Sequence, residues 1–305
     1  MKLKIATSQF SVSSDIRLNL NNIVKQMEEA KDKFCDIIHF PEGSLSGYAG
    51  TDFTTFYRYD WKLLKECTEC IMRLAEKLKL WVLLGSSHPL TNNNKPHNCV
   101  YIINNNGEIV DRYDKLFCAG DDTGLTGDLM HYSSGNHFSI FDLRGVKCSV
   151  LICHDYRYPE LYRKLKKRNV ELIFHSYHAG NMDKNRQKQM EQEIDSSYHH
   201  LNPGKTFPEL TMPASMISYA ANNYLWISCS NTSAKESCWP SFFVRPDGVI
   251  TGKLERNIDS ILLSEIDTDI QFYDSTKFWR ERAMNGIYYS GEKISDIRSQ
   301  SRNIL

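Results

Sequence analysis

Short apolar runs, each about the length of a strand and separated by helical patterns or turn residues, recur from one end of this chain to the other. They constrain the fold more than any other feature, because runs of this kind need sheets that are covered by helices. The strand candidates span 3–10, 35–40, 81–86, 99–104, 138–142, 147–153, 171–175, 225–230, 241–245, 249–254 and 261–266. Leu20, Ile23, Val24, Met27 and Phe34 mark one amphipathic helix, and Leu64, Cys67, Ile71, Leu74, Ala75 and Leu78 mark another. Some neighbouring runs are close enough to be hairpin-linked, which predicts mixed rather than wholly parallel sheets. No internal repeat is visible. A chain of 305 residues can bury a large core, as one big α/β domain or two smaller ones.

One run ends in chemistry. Ser149-Val150-Leu151-Ile152 leads directly into Cys153, followed by His154-Asp155-Tyr156-Arg157-Tyr158-Pro159-Glu160. Pro159 suits the first turn of a helix, and Glu160 is well placed against its dipole. A strand that delivers a thiol to a sharp strand-to-helix turn presents a nucleophile above a sheet. At such a helix start the expectation is a lowered thiol pKa. A cysteine taken alone is more often buried packing, but two further sites shift the balance. Ile37-Ile38-His39-Phe40 runs into Pro41, which ends a ladder, and Glu42 stands where the chain leaves the sheet. Lys115 follows Asp111-Arg112-Tyr113-Asp114, after the turn-like Asn104-Asn105-Asn106-Gly107. A lone Glu or Lys in such a setting is ordinarily solvated.

Glu42, Lys115 and Cys153, each in a strand-end setting and in that order, resemble the catalytic residues of the nitrilase superfamily of carbon–nitrogen hydrolases. The resemblance extends over most of the chain. Lys4-Ile5-Ala6-Thr7-Ser8-Gln9 is similar to the family's first strand, and Asn19, Leu20 and Asn22 fall in its first helix. Tyr113-Asp114-Lys115-Leu116-Phe117 resembles the lysine motif, and 152–160 the nucleophile motif. Asn223 with Trp226-Ile227, and Ser241 with Pro246-Asp247-Gly248, resemble later segments. The resemblance implies an α/β fold, a four-layer α-β-β-α sandwich with two mixed β-sheets. It implies one domain over 1–305, with 267–305 as a C-terminal extension that takes part in pairing two copies. No cofactor and no metal is implied.

The implied chemistry suits the residue types. A carboxamide is a poor electrophile, so a sulfur nucleophile attacks while Glu42 accepts the proton and later protonates departing ammonia. Lys115 and the backbone N–H after Cys153 are the implied donors to the oxyanion. Water, activated by Glu42, then hydrolyses the thioester. The sequence also departs from the family. His154 stands where a larger aromatic is usual. Many members carry a second active-site glutamate after the lysine. Here Gly127-Asp128 offers a side chain shorter by one methylene, with Asp121 and Asp122 as alternatives. Tyr219 and Asn222 replace a common arginine and glutamate. Tyr48, Asp128, His154 and His178 are the candidate supporting or substrate-binding residues.

Lys+Arg and Asp+Glu balance at 37 each, so nothing points to nucleic acid or an anionic membrane as partner. The first residues read as a strand rather than a leader, and no apolar run reaches transmembrane length. Nine scattered cysteines fit reduced thiols and a cytoplasmic setting. Cys67-Thr68-Glu69-Cys70 has metal or redox spacing, but it lacks a second pair and fits a helix. His175, His178, His199 and His200 lack a completing ligand pattern. A papain-like pairing of Cys153 with His154 is poor geometry, since adjacent strand residues project to opposite faces. The basic run from Lys164 to Arg168 reads as the solvated face of the nucleophile helix. The long polar stretch 179–213 reads as a solvated helix plus loop, or as a lid. Beyond 267, Phe272, Tyr273, Phe278, Trp279, Tyr288 and Tyr289 suit an interface core between two copies.

The functional expectation is an amidase acting on a small carboxamide, since Arg157-Tyr158-Pro159-Glu160 resembles amidase-like branches more than true nitrilases. An N-carbamoyl amide hydrolase and a non-catalytic binding protein of the same fold are the alternatives. Retention of Glu42, Lys115 and Cys153 argues against the last.

Overall fold

The computed structural model describes residues 2–305. Twelve strands form two six-stranded sheets. The first contains β1 (Lys2–Gln9), β2 (Ile37–His39), β3 (Trp81–His88), β4 (His97–Ile103), β5 (Ile109–Asp114) and β12 (Ser260–Asp267), in the order β12-β1-β2-β3-β4-β5. The second contains β6 (Ile140–Leu143), β7 (Val146–Ile152), β8 (Leu172–Ser176), β9 (Trp226–Ser230), β10 (Phe242–Val244) and β11 (Ile250–Lys253), in the order β11-β10-β9-β8-β7-β6. In each sheet three parallel strands, β1-β2-β3 and β7-β8-β9, form the centre, with antiparallel partners at the flanks. Both sheets are therefore mixed, as the hairpin spacing predicts.

Side-chain alternation makes the layers. Ile37 and Leu83 face the core between the sheets, while Ile38, Val82 and Leu84 pack under two helices, α1 (Ile16–Asp32) and α2 (Trp61–Leu78). Ile23, Met27 and Ala30 of α1 and Leu64, Ile71 and Ala75 of α2 supply the other half of that layer. On the far side, Leu161, Tyr162 and Leu165 of α3 (Pro159–Lys167) and Met212, Met216 and Ala220 of α5 (Phe207–Asn223) cover the second sheet. The result is the α-β-β-α sandwich. Four short pieces, among them α4 (Lys184–Glu193), α6 (Arg280–Met284) and α7 (Ile297–Gln300), lie outside it. Among the described residues no helix is long and apolar enough to cross a membrane.

Two local expectations are corrected. The strand Ile109–Asp114 escapes the apolar-run reading because Asp111, Arg112 and Asp114 interrupt it, and it pairs with β4 at the edge of its sheet, where polar residues are tolerated. The polar stretch 179–213 is less irregular than its composition suggests. Thr206 caps α5 by accepting from the Glu209 N–H, and the helix starts at Phe207 and runs on through Pro213.

A buried polar relay joins the sheets. Ser176 Oγ donates to the Phe40 carbonyl (3.1 Å), so it accepts from His39 Nε2 (2.9 Å). His39 Nδ1 then accepts from Ser228 Oγ (2.9 Å), which accepts from Thr7 Oγ1 (2.7 Å). This pattern needs a neutral imidazole, and burial, aided by His175, holds the His39 pKa well below its usual range. The unfolded chain takes up a proton here below pH ~6.5 that the fold refuses, so stability is lost on acidification. His39→Leu should strand two hydroxyls and cost about 1–3 kcal/mol. It should also flatten the fall in urea midpoint between about pH 7 and pH 5. An equally steep fall in the variant would contradict the relay's assignment.

Candidate active site

Strand ends from both sheets meet at one edge of the sandwich. Pro41 and Glu42 leave β2 and cross over β3 at Gly85. A Cβ at Gly85 would stand 2.0 Å from the Pro41 carbonyl oxygen, so only glycine admits this crossing. The Gly85 carbonyl accepts from the Leu45 N–H (2.9 Å) and Ser44 Oγ (3.0 Å), and the Glu42 N–H donates to the Tyr177 carbonyl (3.2 Å). Glu42 is thereby fixed with no solvent exposure. Its Oε1 accepts from Asn98 Nδ2 (2.7 Å) and Lys115 Nζ (2.9 Å), whereas Oε2 has no hydrogen-bond partner.

Lys115 follows β5, and its ammonium is 1% exposed between two carboxylates, Glu42 and Asp128. The Asp128 Oδ2 contact is 2.6 Å. Asp128 sits in a 3₁₀ turn, and its Oδ2 also accepts from the Ala119 N–H (3.0 Å), while Oδ1 accepts from the Tyr48 hydroxyl. Lys95 Nζ ties down the same loop through the Gly124 (3.1 Å) and Leu129 (2.6 Å) carbonyls. Of the three acids that could fill this position, Asp128 does so, and the exposed Asp121 bonds Thr123 instead. The Tyr48 ring lies 5.9 Å from the ammonium and stacks on His178 (5.0 Å, 23°).

Cys153 closes the group. It directly follows β7 with φ +39°, a left-handed backbone uncommon for a residue with a Cβ and of the kind that collects at functional turns. A 3₁₀ turn over Cys153–Arg157 intervenes before α3 begins at Pro159. Asp155 secures this turn. Its carboxylate accepts from the Ile152 N–H (2.9 Å), the Phe117 N–H (2.9 Å) and the Tyr113 hydroxyl (2.7 Å), which couples the Cys153 turn to the segment carrying Lys115. Burial pushes its pKa up to about 6. His175 Nε2 lies 3.2 Å from the Cys153 carbonyl, and burial lowers its pKa to about 3.

The carbon-nitrogen hydrolase family model matches residues 4–274. The chain belongs to this family. It is 30% identical over 177 residues to Omega-amidase NIT2-A of Xenopus laevis, a match covering 56% of this chain and 62% of that relative. It is 28% identical over 177 residues to 2-oxoglutaramate amidase of Bacillus subtilis, covering 57% and 64% respectively. The chain thus spans less than two thirds of the length of these relatives. In fold it is similar to the amidase from Nesterenkonia sp., with a TM-score of 0.69 at 15% identity, covering 93% of this chain and 95% of that one.

In this carbon-nitrogen hydrolase the thiol is not the low-pKa group that a helix start suggests. Burial and the Glu42 carboxylate raise the Cys153 pKa well above its usual value, and Lys115 offsets this only in part. A 3₁₀ turn, not an α-helix N-terminus, receives the strand, so no helix start is placed to oppose that burial. Burial alone would deprotonate Lys115, but Asp128 and Glu42 outweigh it and hold the ammonium charged. His154 turns away, with Nδ1 3.3 Å from the Phe117 carbonyl and its ring against Tyr158. His178 pairs with Asp52 (2.9 Å). No local pattern singles out Asn98, Asp155 or Asp52; the position of Asp155, two residues after Cys153, is the one available signal. Lys115→Met would leave Glu42 and Asp128 buried together without a cation, and should cost about 3–5 kcal/mol of stability. Adding Asp128→Asn should recover part of that loss in urea unfolding, and an unchanged midpoint for Lys115→Met would refute the pairing.

Proposed function

We propose that this chain is an amidase that releases ammonia from a small carboxamide through a Cys153 thioester. The observation that carries the reading is the unpartnered Glu42 Oε2 beside a protonated thiol, with the Lys115 ammonium fixed on the other carboxylate oxygen. Glu42 takes the thiol proton as the sulfur attacks the amide carbon, so no standing thiolate is required. Lys115 and the His154 backbone N–H receive the negative charge on the carbonyl oxygen. When the C–N bond breaks, Glu42 returns the proton to the leaving nitrogen and ammonia departs. Water then gives a proton to Glu42 as it attacks the thioester, which releases the carboxylic acid and restores the thiol. The two relatives named an omega-amidase and a 2-oxoglutaramate amidase support an amide substrate.

Ammonia release from a panel of carboxamides, N-carbamoyl amino acids and nitriles tests the reading, with turnover expected on carboxamides. Cys153→Ala should abolish it. Lys115→Met should lower kcat by about 10²–10³ or more, the range for loss of one preorganised donor, and Glu42→Gln by about 10²–10⁴, the range for loss of a general acid–base group. Turnover near wild type in Cys153→Ala would refute the nucleophile.

We infer also that two copies pair through α3 and the segment after β12, within a single domain, in a reducing compartment such as the cytoplasm. Ala283, Met284 and Tyr288 line one groove of about 470 Å³ with Pro159, Arg163 and Lys167 of α3, and Tyr273 and Tyr288 are 79% and 86% exposed. All nine cysteines are unpaired. Light scattering should give the mass of a dimer at micromolar concentration, and a monomer there would overturn the pairing.

A further inference from the structure

At the end of the sandwich away from Cys153, a cavity of about 320 Å³ opens between the end of α3, the end of α5 and the segment after β12. The strand register sets its distance from the candidate active site. Trp226, in the cavity wall, stands in one row of the parallel strands with Leu172 and Cys148. The Cys153 turn follows the opposite row of Ile152, Ser176 and Ser230. Four strand steps, roughly 13 Å, separate the two rows. The cavity shares no lining residue with the groove between α3 and Ala283, Met284 and Tyr288.

Flat rings make much of the wall. Trp226 and Phe272 meet edge to face (5.3 Å, 88°), and Tyr224, the left-handed residue that ends α5, adds a third ring. The Tyr224 hydroxyl accepts from the Phe272 N–H (3.0 Å), which leaves its own proton uncommitted. The charged residues differ in their partners. Arg280 is held on Asp274 by two hydrogen bonds (2.9 and 2.8 Å). Lys277 and Glu171 are exposed and offset one another. Lys166 is the exception. It is half-buried, and among the described residues its ammonium donates only to the Tyr224 carbonyl (3.0 Å), with no carboxylate in ion-pair contact. Two of its three protons therefore lack a protein acceptor. Burial and the nearby Arg280 charge pull its pKa down to about 8, and Glu171 and Asp274 oppose this only in part. An anion seated beside Lys166 would offset both effects.

We propose that this cavity is a second small-molecule site, separate from the Cys153 site, and that it takes a monocarboxylate with a flat apolar body. The carboxylate sits on the Lys166 ammonium and the Tyr224 hydroxyl, and the apolar body lies against Trp226 and Phe272. One uncommitted, half-buried cation suits one negative charge. A phosphate dianion would bring a second charge that no uncommitted group inside the cavity balances. The volume falls at the lower end of the range for small-molecule sites. The assignment does not depend on which amide is turned over at Cys153.

Calorimetric titration of benzoate into the full chain at neutral pH tests the site. One benzoate per chain should bind with a dissociation constant of about 1 mM or tighter. Lys166→Gln should weaken binding by about tenfold or more, the loss expected for a hydrogen bond to a charged group. Cys153→Ala should bind benzoate as the wild type does, and inorganic phosphate should bind the wild type about tenfold or more weakly than benzoate. Undiminished binding by Lys166→Gln, loss of binding in Cys153→Ala, or no binding to the wild type up to about 10 mM would overturn the site. Phosphate bound as tightly as benzoate would overturn the choice of a monocarboxylate. If Lys166→Gln does not fold, a crystal structure of the wild type with para-bromobenzoate decides the matter. The anomalous bromine signal should lie beside Trp226 and Phe272, and a signal beside Cys153 alone, or none, would refute the proposal.

Discussion

A lysine ammonium with almost no access to water is held here by two carboxylates, and the rest of the site is arranged around that fact. Removing the ammonium would leave two carboxylates together in a low-dielectric interior with no cation, whereas removing either carboxylate would still leave the ammonium paired with the other. Glu42 comes from the end of β2, Lys115 from the end of β5 and Asp128 from a loop pinned by Lys95, so the charge cluster locks three separate segments of one sheet. Cys153 arrives from the opposite sheet and is coupled to the same place by Asp155. The two sheets are thus joined at this edge by polar contacts, as they are deeper down by the His39 relay, while apolar packing fills the space between.

That arrangement explains why the thiol can stay protonated at rest. A pre-formed thiolate beside Glu42 and Asp128 would add a further negative charge to a group that already carries two carboxylates for each ammonium. In the proposed mechanism, transfer of the proton to Glu42 during attack would move charge within the cluster instead of adding to it. The free Oε2 of Glu42 is the atom on which such a proposed transfer would depend.

Much of this was legible in the sequence because strand ends have signatures. Pro41 before Glu42 and the apolar run before Cys153 mark the exits from β2 and β7 without any knowledge of tertiary contacts. Lys115 was legible through its motif, not its strand, since β5 carries edge-strand polarity and shows no apolar run. The α5 start was hidden for a related reason: a threonine cap and a proline-containing helix look like loop when read by composition. Asn98, Asp52 and Asp155 are ordinary polar residues by local criteria. Their importance comes from burial and from partners 56, 126 and 38 positions away in the chain, which no local pattern encodes.

The pairing of β1 with β12 has a consequence for how the molecule comes into being. Lys2 lies opposite Asp267 and Gln9 opposite Ser260, so during synthesis β1 waits for β12, the last of the twelve strands. At ordinary synthesis rates of about 5–20 residues per second, that interval is roughly 13–50 s. Throughout it, one edge of β1 offers unpaired backbone donors and acceptors to any neighbouring chain. The same long-range closure raises the contact order, which slows folding further. A nascent chain of this kind therefore depends on dilution or on chaperones until its final strand emerges.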